Sequence, residues 1–82
     1  MSGPSGVFQV LADLVARKTR VDASRVVPGA RLIDFGLDSV KAMELVVELE
    51  QAFDLAIDDQ ELADMETLGD IAAYIERRLA AR

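Results

Sequence analysis

Ser39 is the residue whose surroundings single it out for chemistry. It follows Asp34-Phe35-Gly36-Leu37-Asp38 and opens a helical segment, which places a hydroxyl at a helix mouth beside a carboxylate. Nothing nearby would turn that hydroxyl into a nucleophile. Activation needs a base within hydrogen-bond reach, and the chain has no histidine, and no cysteine to take the serine's place. Lys41, two residues on, projects from nearly the opposite side of the helix. Gly36-x-x-Ser39 is also not the G-x-S-x-G elbow of hydrolases. No catalytic residue and no enzyme activity are therefore expected, and Ser39 reads as a point of attachment. The same zero counts remove disulfides, zinc sites and iron–sulfur clusters. Asp54-Leu55-Ala56-Ile57-Asp58-Asp59 breaks the calcium-loop pattern at its third position and lacks the glycine, so no metal is expected.

Four helical segments can position Ser39. Val7, Phe8, Leu11, Leu14 and Val15 recur at helical spacing and predict a first helix over Gly6–Lys18. Arg17 and Lys18 fall in its last turn, where the helix dipole favours cations. A long connection, Thr19 to Asp38, is broken by Pro28-Gly29. Val21, Val26, Leu32, Phe35 and Leu37 are expected to pin it over the core, with a short helical turn near Asp22–Arg25. The second helix is expected over Ser39–Phe53 with Asp38 as its N-cap. The third is short, from Asp59 to Ala63 or Asp64, with Asp58 and Glu61 spaced as a capping box. The fourth begins at Thr67, where Thr67-Leu68-Gly69-Asp70 fits the [ST]-x-x-[DE] signal. Its apolar face is Leu68, Ile71, Ala72, Ile75 and Leu79, with Tyr74 at the edge. No segment alternates over a strand's length. The expected class is all-α: one domain over residues 6–82, a four-helix bundle with a long first loop and a short third helix.

The second helix carries two apolar stripes. At about 100° per residue, Ala42, Leu45, Val46, Leu49 and Phe53 form a core face. Val40, Met43 and Val47 form another, about 140° away by the same arithmetic. Glu44 and Gln51 flank it on one side and Glu50 on the other, so an exposed apolar strip with an acidic rim is expected to start beside Ser39. Such strips are contact surfaces, and Met43 suits one that meets several partners. Charge is segregated to match. Asp34 to Asp70 holds twelve acids and one base, a local −11 against +5 elsewhere, within a net −6. That field repels nucleic acid and attracts basic protein surfaces. No apolar run approaches a membrane span. Met1-Ser2-Gly3-Pro4-Ser5 reads as a flexible tail without signal-peptide features, and a cytoplasmic location is expected.

Around Gly36-Leu37-Asp38-Ser39-Val40 the sequence resembles the acyl carrier protein family of fatty-acid and polyketide synthesis. The resemblance runs from Val7 to Leu79, through Glu44-Leu45, Leu49-Glu50-Gln51-Ala52-Phe53, Ile57-Asp58-Asp59 and Thr67-Leu68-Gly69-Asp70-Ile71. It implies that a phosphopantetheinyl transferase moves 4′-phosphopantetheine from coenzyme A onto Ser39, next to Asp38. The thiol of that arm would then carry acyl groups as thioesters to acyltransferases, a ketosynthase and other synthase enzymes. It further implies Val40, Met43, Glu44, Val47 and Glu50 as partner contacts on a monomer. Val40 stands where many members have leucine, and Lys41 where fatty-acid carriers often have an acid. Both lean toward the polyketide type. The alternatives are an aminoacyl or peptidyl carrier of a non-ribosomal pathway, whose usual Gly-Gly-x-Ser is here Gly-Leu-Asp-Ser, and a helical adaptor with a bare Ser39.

Overall fold

Phe8, Leu11, Ala12 and Val15 follow the i, i+3, i+4, i+7 spacing of one helix face, and all four are buried on the inner side of helix α1 (Gly6–Thr19) in the computed structural model. The structure describes residues 6–81, so the expected tail lies outside them. Helices α2 (Ser39–Phe53), α3 (Asp59–Ala63) and α4 (Leu68–Ala80) follow, with 3-10 turns at Ala23–Arg25 and Leu32–Phe35 in the long connection. Among the described residues there is no strand. Helix α1 packs against both α2 and α4. Leu11, Val15, Leu45, Leu49, Leu68 and Ile75 are sealed at the centre. The expected all-α architecture is the one observed.

Helices α1 and α2 end in the same way. Arg20 and Asp54 adopt left-handed backbone angles, φ 60° and 53°. The next amides, Val21 and Leu55, donate back to the carbonyls of Ala16 and Glu50. This closure satisfies carbonyls that a helix end leaves open. In α3 the expected capping box does not form. Asp58 caps the helix by accepting from the Gln60 amide at 2.8 Å, while Glu61 accepts a 2.7 Å hydrogen bond from the Tyr74 hydroxyl. Tyr74 is therefore buried rather than at the edge of its stripe. Its oxygen also accepts from Arg78 Nη1 at 2.8 Å, with the guanidinium 5.7 Å from the ring centroid. A buried phenol needs such a partner, and this pair joins α3 to α4.

The long connection is held at each stage. Asp22 caps the first 3-10 turn by accepting from the Ser24 amide at 3.0 Å, and Val26 inserts into the core. Next, the Pro28 carbonyl accepts from the Gly69 amide at 2.8 Å and the Ala30 carbonyl from the Leu68 amide at 2.9 Å. These are the first two amides of α4, which have no partner inside the helix. The Thr67–Asp70 capping box serves its neighbours. Thr67 Oγ1 accepts from the Asp70 amide, and Asp70 accepts from the amides of Thr67 and Glu66. Those amides, Thr67 first, hold the Asp70 carboxyl below its usual value of 3.8.

The close approach at Gly69 leaves little slack for a side chain, which would press on Pro28. A β-carbon there would sit 3.1 Å from the Pro28 oxygen and 3.3 Å from Pro28 Cβ, whereas one at Gly29 would meet nothing within 4 Å. In chemical denaturation, Gly69→Ala is expected to lose about 1 kcal/mol net, as overpacking outweighs the helix-propensity gain. Gly29→Ala should stay within about 0.5 kcal/mol of the parent. For Asp70, a lowered folded pKa means its contribution is present above the ordinary carboxylate range and is lost as pH falls through the lowered value. Melting temperatures of the parent and Asp70→Asn should therefore differ at neutral pH and converge under acid. A gap independent of pH would contradict this linkage.

Candidate functional site at the head of helix α2

Gly36 turns the chain into α2. Its φ of +76° is open to glycine at no steric cost. Leu37 then drops into the core. Asp38 stays extended, and its carboxylate accepts from the Lys41 amide at 2.9 Å. That is N-capping by Asp38, as the spacing predicts. Ser39 is the first helical residue, is exposed, and has no side-chain hydrogen bond among the described residues. Because Asp38 caps the helix, the hydroxyl is left over.

Beyond Ser39, α2 presents the two faces its sequence implies. Leu45, Val46 and Leu49 are buried, while Val40, Met43 and Val47 remain 66%, 59% and 49% exposed. Sequence reasoning missed Ile33, which at 73% is more exposed than any of them. The available signal was the adjacent pair Leu32-Ile33: in a tight turn only one neighbour can face the core, and Leu32 does. A cavity of about 400 Å³ opens between the second 3-10 turn, α2, α3 and the start of α4. Leu32, Ile33, Met43, Val46, Leu62 and Met65 supply apolar lining, and Arg31 and Glu66 add charge. Ala42 and Met43, which also line it, lie one helical turn beyond Ser39.

The acids of the rim are less free than the sequence suggests. Glu50 is half-buried, and its Oε2 accepts from the Ile57 amide at 2.8 Å, closing the turn into α3. Glu44 Oε1 lies 3.5 Å and Glu48 Oε2 2.9 Å from Lys18 Nζ, at the end of α1. The Lys18 pKa is raised, chiefly by its hydrogen bond to Glu48. Among the described residues no acidic cluster could hold a metal ion.

A 4′-phosphopantetheine group fits the head of α2. An uncommitted hydroxyl faces solvent, and a phosphate joined to it would lie by the positive end of the helix dipole. A family model described as phosphopantetheine attachment site matches residues 9–75. The acyl carrier protein of Thermotoga maritima is 36% identical over 80 residues, covering 96% of this chain and 99% of that protein. This chain belongs to the acyl carrier protein family. The acyl carrier protein of an Exiguobacterium species is 39% identical over 75 residues, covering 87% and 95% of the two chains. Among solved structures, the HMG-ACPI domain from the CurA module of Lyngbya majuscula superposes with a TM-score of 0.83 at 24% identity, covering 99% of this chain and 88% of that one, and supports the fold. A free-standing peptidyl carrier protein from an Acinetobacter baumannii secondary metabolic pathway gives 0.77 at 28% identity, covering 88% and 90%.

As a member of this family the chain is a carrier and not an enzyme, and it holds 4′-phosphopantetheine covalently. The missing histidine and cysteine then follow from the chemistry, since a carrier needs neither a base nor a thiol of its own. Carriers of this kind meet a phosphopantetheinyl transferase and synthase enzymes in turn.

Proposed function

We propose that Ser39 Oγ is the attachment point and that α2 is the face partner enzymes read. The observation that carries this is the exposed, unengaged hydroxyl at the first position of α2, freed by Asp38. The phosphodiester would form at Oγ as the pyrophosphate bond of coenzyme A breaks, with adenosine 3′,5′-bisphosphate as the leaving group and the Oγ–H bond giving up its proton. That proton must leave to a group on the transferase, because the chain has no histidine and Lys41 projects from nearly the opposite side of the helix. Asp38 fixes the helix start and so the direction of Oγ. Once bound, the cofactor supplies a thiol that holds acyl groups as thioesters. Val40, Met43 and Val47 form the apolar centre of the docking face, Ile33 extends it, and Glu44 supplies charge at its edge. Glu50 contributes mainly by holding the turn into α3 and fixing the end of α2.

The acyl cargo is proposed to belong to polyketide synthesis, with acyltransferases and a ketosynthase among the partners of a cytoplasmic monomer. Val40 and Lys41 support that lean, and no helix among the described residues is long and apolar enough to cross a membrane. Similarity to a peptidyl carrier at 28% identity favours an aminoacyl cargo as the second reading. Loading with a panel of acyl and aminoacyl donors by the neighbouring biosynthetic enzymes separates them.

Intact mass after incubation with coenzyme A, magnesium and a promiscuous phosphopantetheinyl transferase should show one added phosphopantetheinyl group, and none in Ser39→Ala. An unchanged mass in the folded parent would return Ser39 to a purely structural role. Val47→Asp should keep stability within about 0.5 kcal/mol and lower the kcat/KM of acyl transfer by about five- to tenfold, as expected for a central interface residue. Parent-like transfer by this variant would remove the docking strip.

A further inference from the structure

We infer that Lys18 is a built-in counter-charge that occupies the acidic edge of the docking face and weakens its attraction for basic partner proteins. The inference rests on the reading that α2 is that face. Lys18 comes from the last turn of α1, not from α2, and its side chain is only 15% exposed. It reaches Glu48 at 2.9 Å and Glu44 at 3.5 Å, while those carboxylate side chains remain 40% and 58% exposed. The acids thus face outward, and the largely covered lysine side chain brings its ammonium against them. By helical spacing, Glu44 and Glu48 run beside Val40 and Val47, along the edge turned toward α1. A base brought by a partner to this edge meets carboxylates that already share a positive charge.

The third acid of α2, Glu50, is held by the Ile57 amide. Glu44 and Glu48 are therefore the helix's outward acids, and Lys18 bears on both. Rim charges act mainly on the rate of encounter and its salt dependence. Lys18 lowers the local field by one charge, so docking leans on the apolar strip and release stays fast. The partner chemistry that follows is a protein surface with an apolar recess for Met43 and Val47, and bases confined to the side that meets Glu44 and Glu48.

The test is steady-state modification of Ser39 by a transferase with a basic docking surface, at about 50 and 500 mM NaCl, which brackets strong and weak screening. Lys18→Gln should raise kcat/KM about three- to tenfold at low salt through KM, with kcat unchanged. The gain should vanish at high salt, and Lys18→Arg should match the parent. In the background Glu44→Gln/Glu48→Gln, removing Lys18 should have no effect, because the charges it offsets are gone. A folded Lys18→Gln protein modified no faster than the parent at low salt overturns the inference. So does a gain that persists in the double-Gln background. Lys18→Met keeps the stem's packing and replaces Lys18→Gln should the latter lose its circular-dichroism signature. A parent chain that no transferase modifies removes the functional reading as well. A modified parent beside an unresponsive variant removes the counter-charge alone.

Discussion

Two backbone hydrogen bonds set the rest of this molecule in place: those from the Leu68 and Gly69 amides to the carbonyls of Ala30 and Pro28. The start of a helix must find acceptors for its first amides, and a long irregular segment must find donors for its carbonyls. Here each need meets the other. The pairing fixes the middle of the loop against α4, and the turn that follows, Leu32–Phe35, becomes one wall of the cavity. From that anchored point the chain needs only Gly36 to turn and Leu37 to insert for Asp38 and Ser39 to arrive at the head of α2. Glycine at position 69 is what permits the approach.

Much of the acidity in this chain works locally. Asp34, Asp38, Glu50, Asp58 and Asp70 each accept a backbone amide, Glu61 accepts the tyrosine hydroxyl, and Glu44 and Glu48 face Lys18. The geometry of these acids is set by helix ends, turns and packed neighbours. A chain with no disulfide and no metal cluster among its described residues uses carboxylates to close the elements its small core cannot hold alone. The recognition role proposed for them is built from what this structural work leaves exposed.

The helices were legible from period or from caps: α1, α2 and α4 show a strong apolar period, and Asp38, Asp58 and Thr67 cap α2, α3 and α4. Ser39–Phe53 and its two apolar stripes could be read from Asp38 and the spacing of Val40, Met43 and Val47. The cap at Thr67 and the short turn after Asp22 were equally local. What could not be read was contact between residues distant in sequence. Glu61 sits three residues after Asp58, as a capping box requires, yet pairs with Tyr74 thirteen residues on, because α4 places a buried phenol within reach. Glu50 looks like a rim acid on a helical wheel, but the turn into α3 brings Ile57 back to it. Ile33 sits in a 3-10 turn too short to show a period.

Tyr74 is the sole tyrosine of a chain without tryptophan. Its hydroxyl bridges the short third helix to the fourth, so the protein's tyrosine emission arises at a single joint. A phenol bonded to a carboxylate differs spectroscopically from one in water. Lifting of α3 away from the bundle would therefore register as a change in colour and brightness, with no label attached.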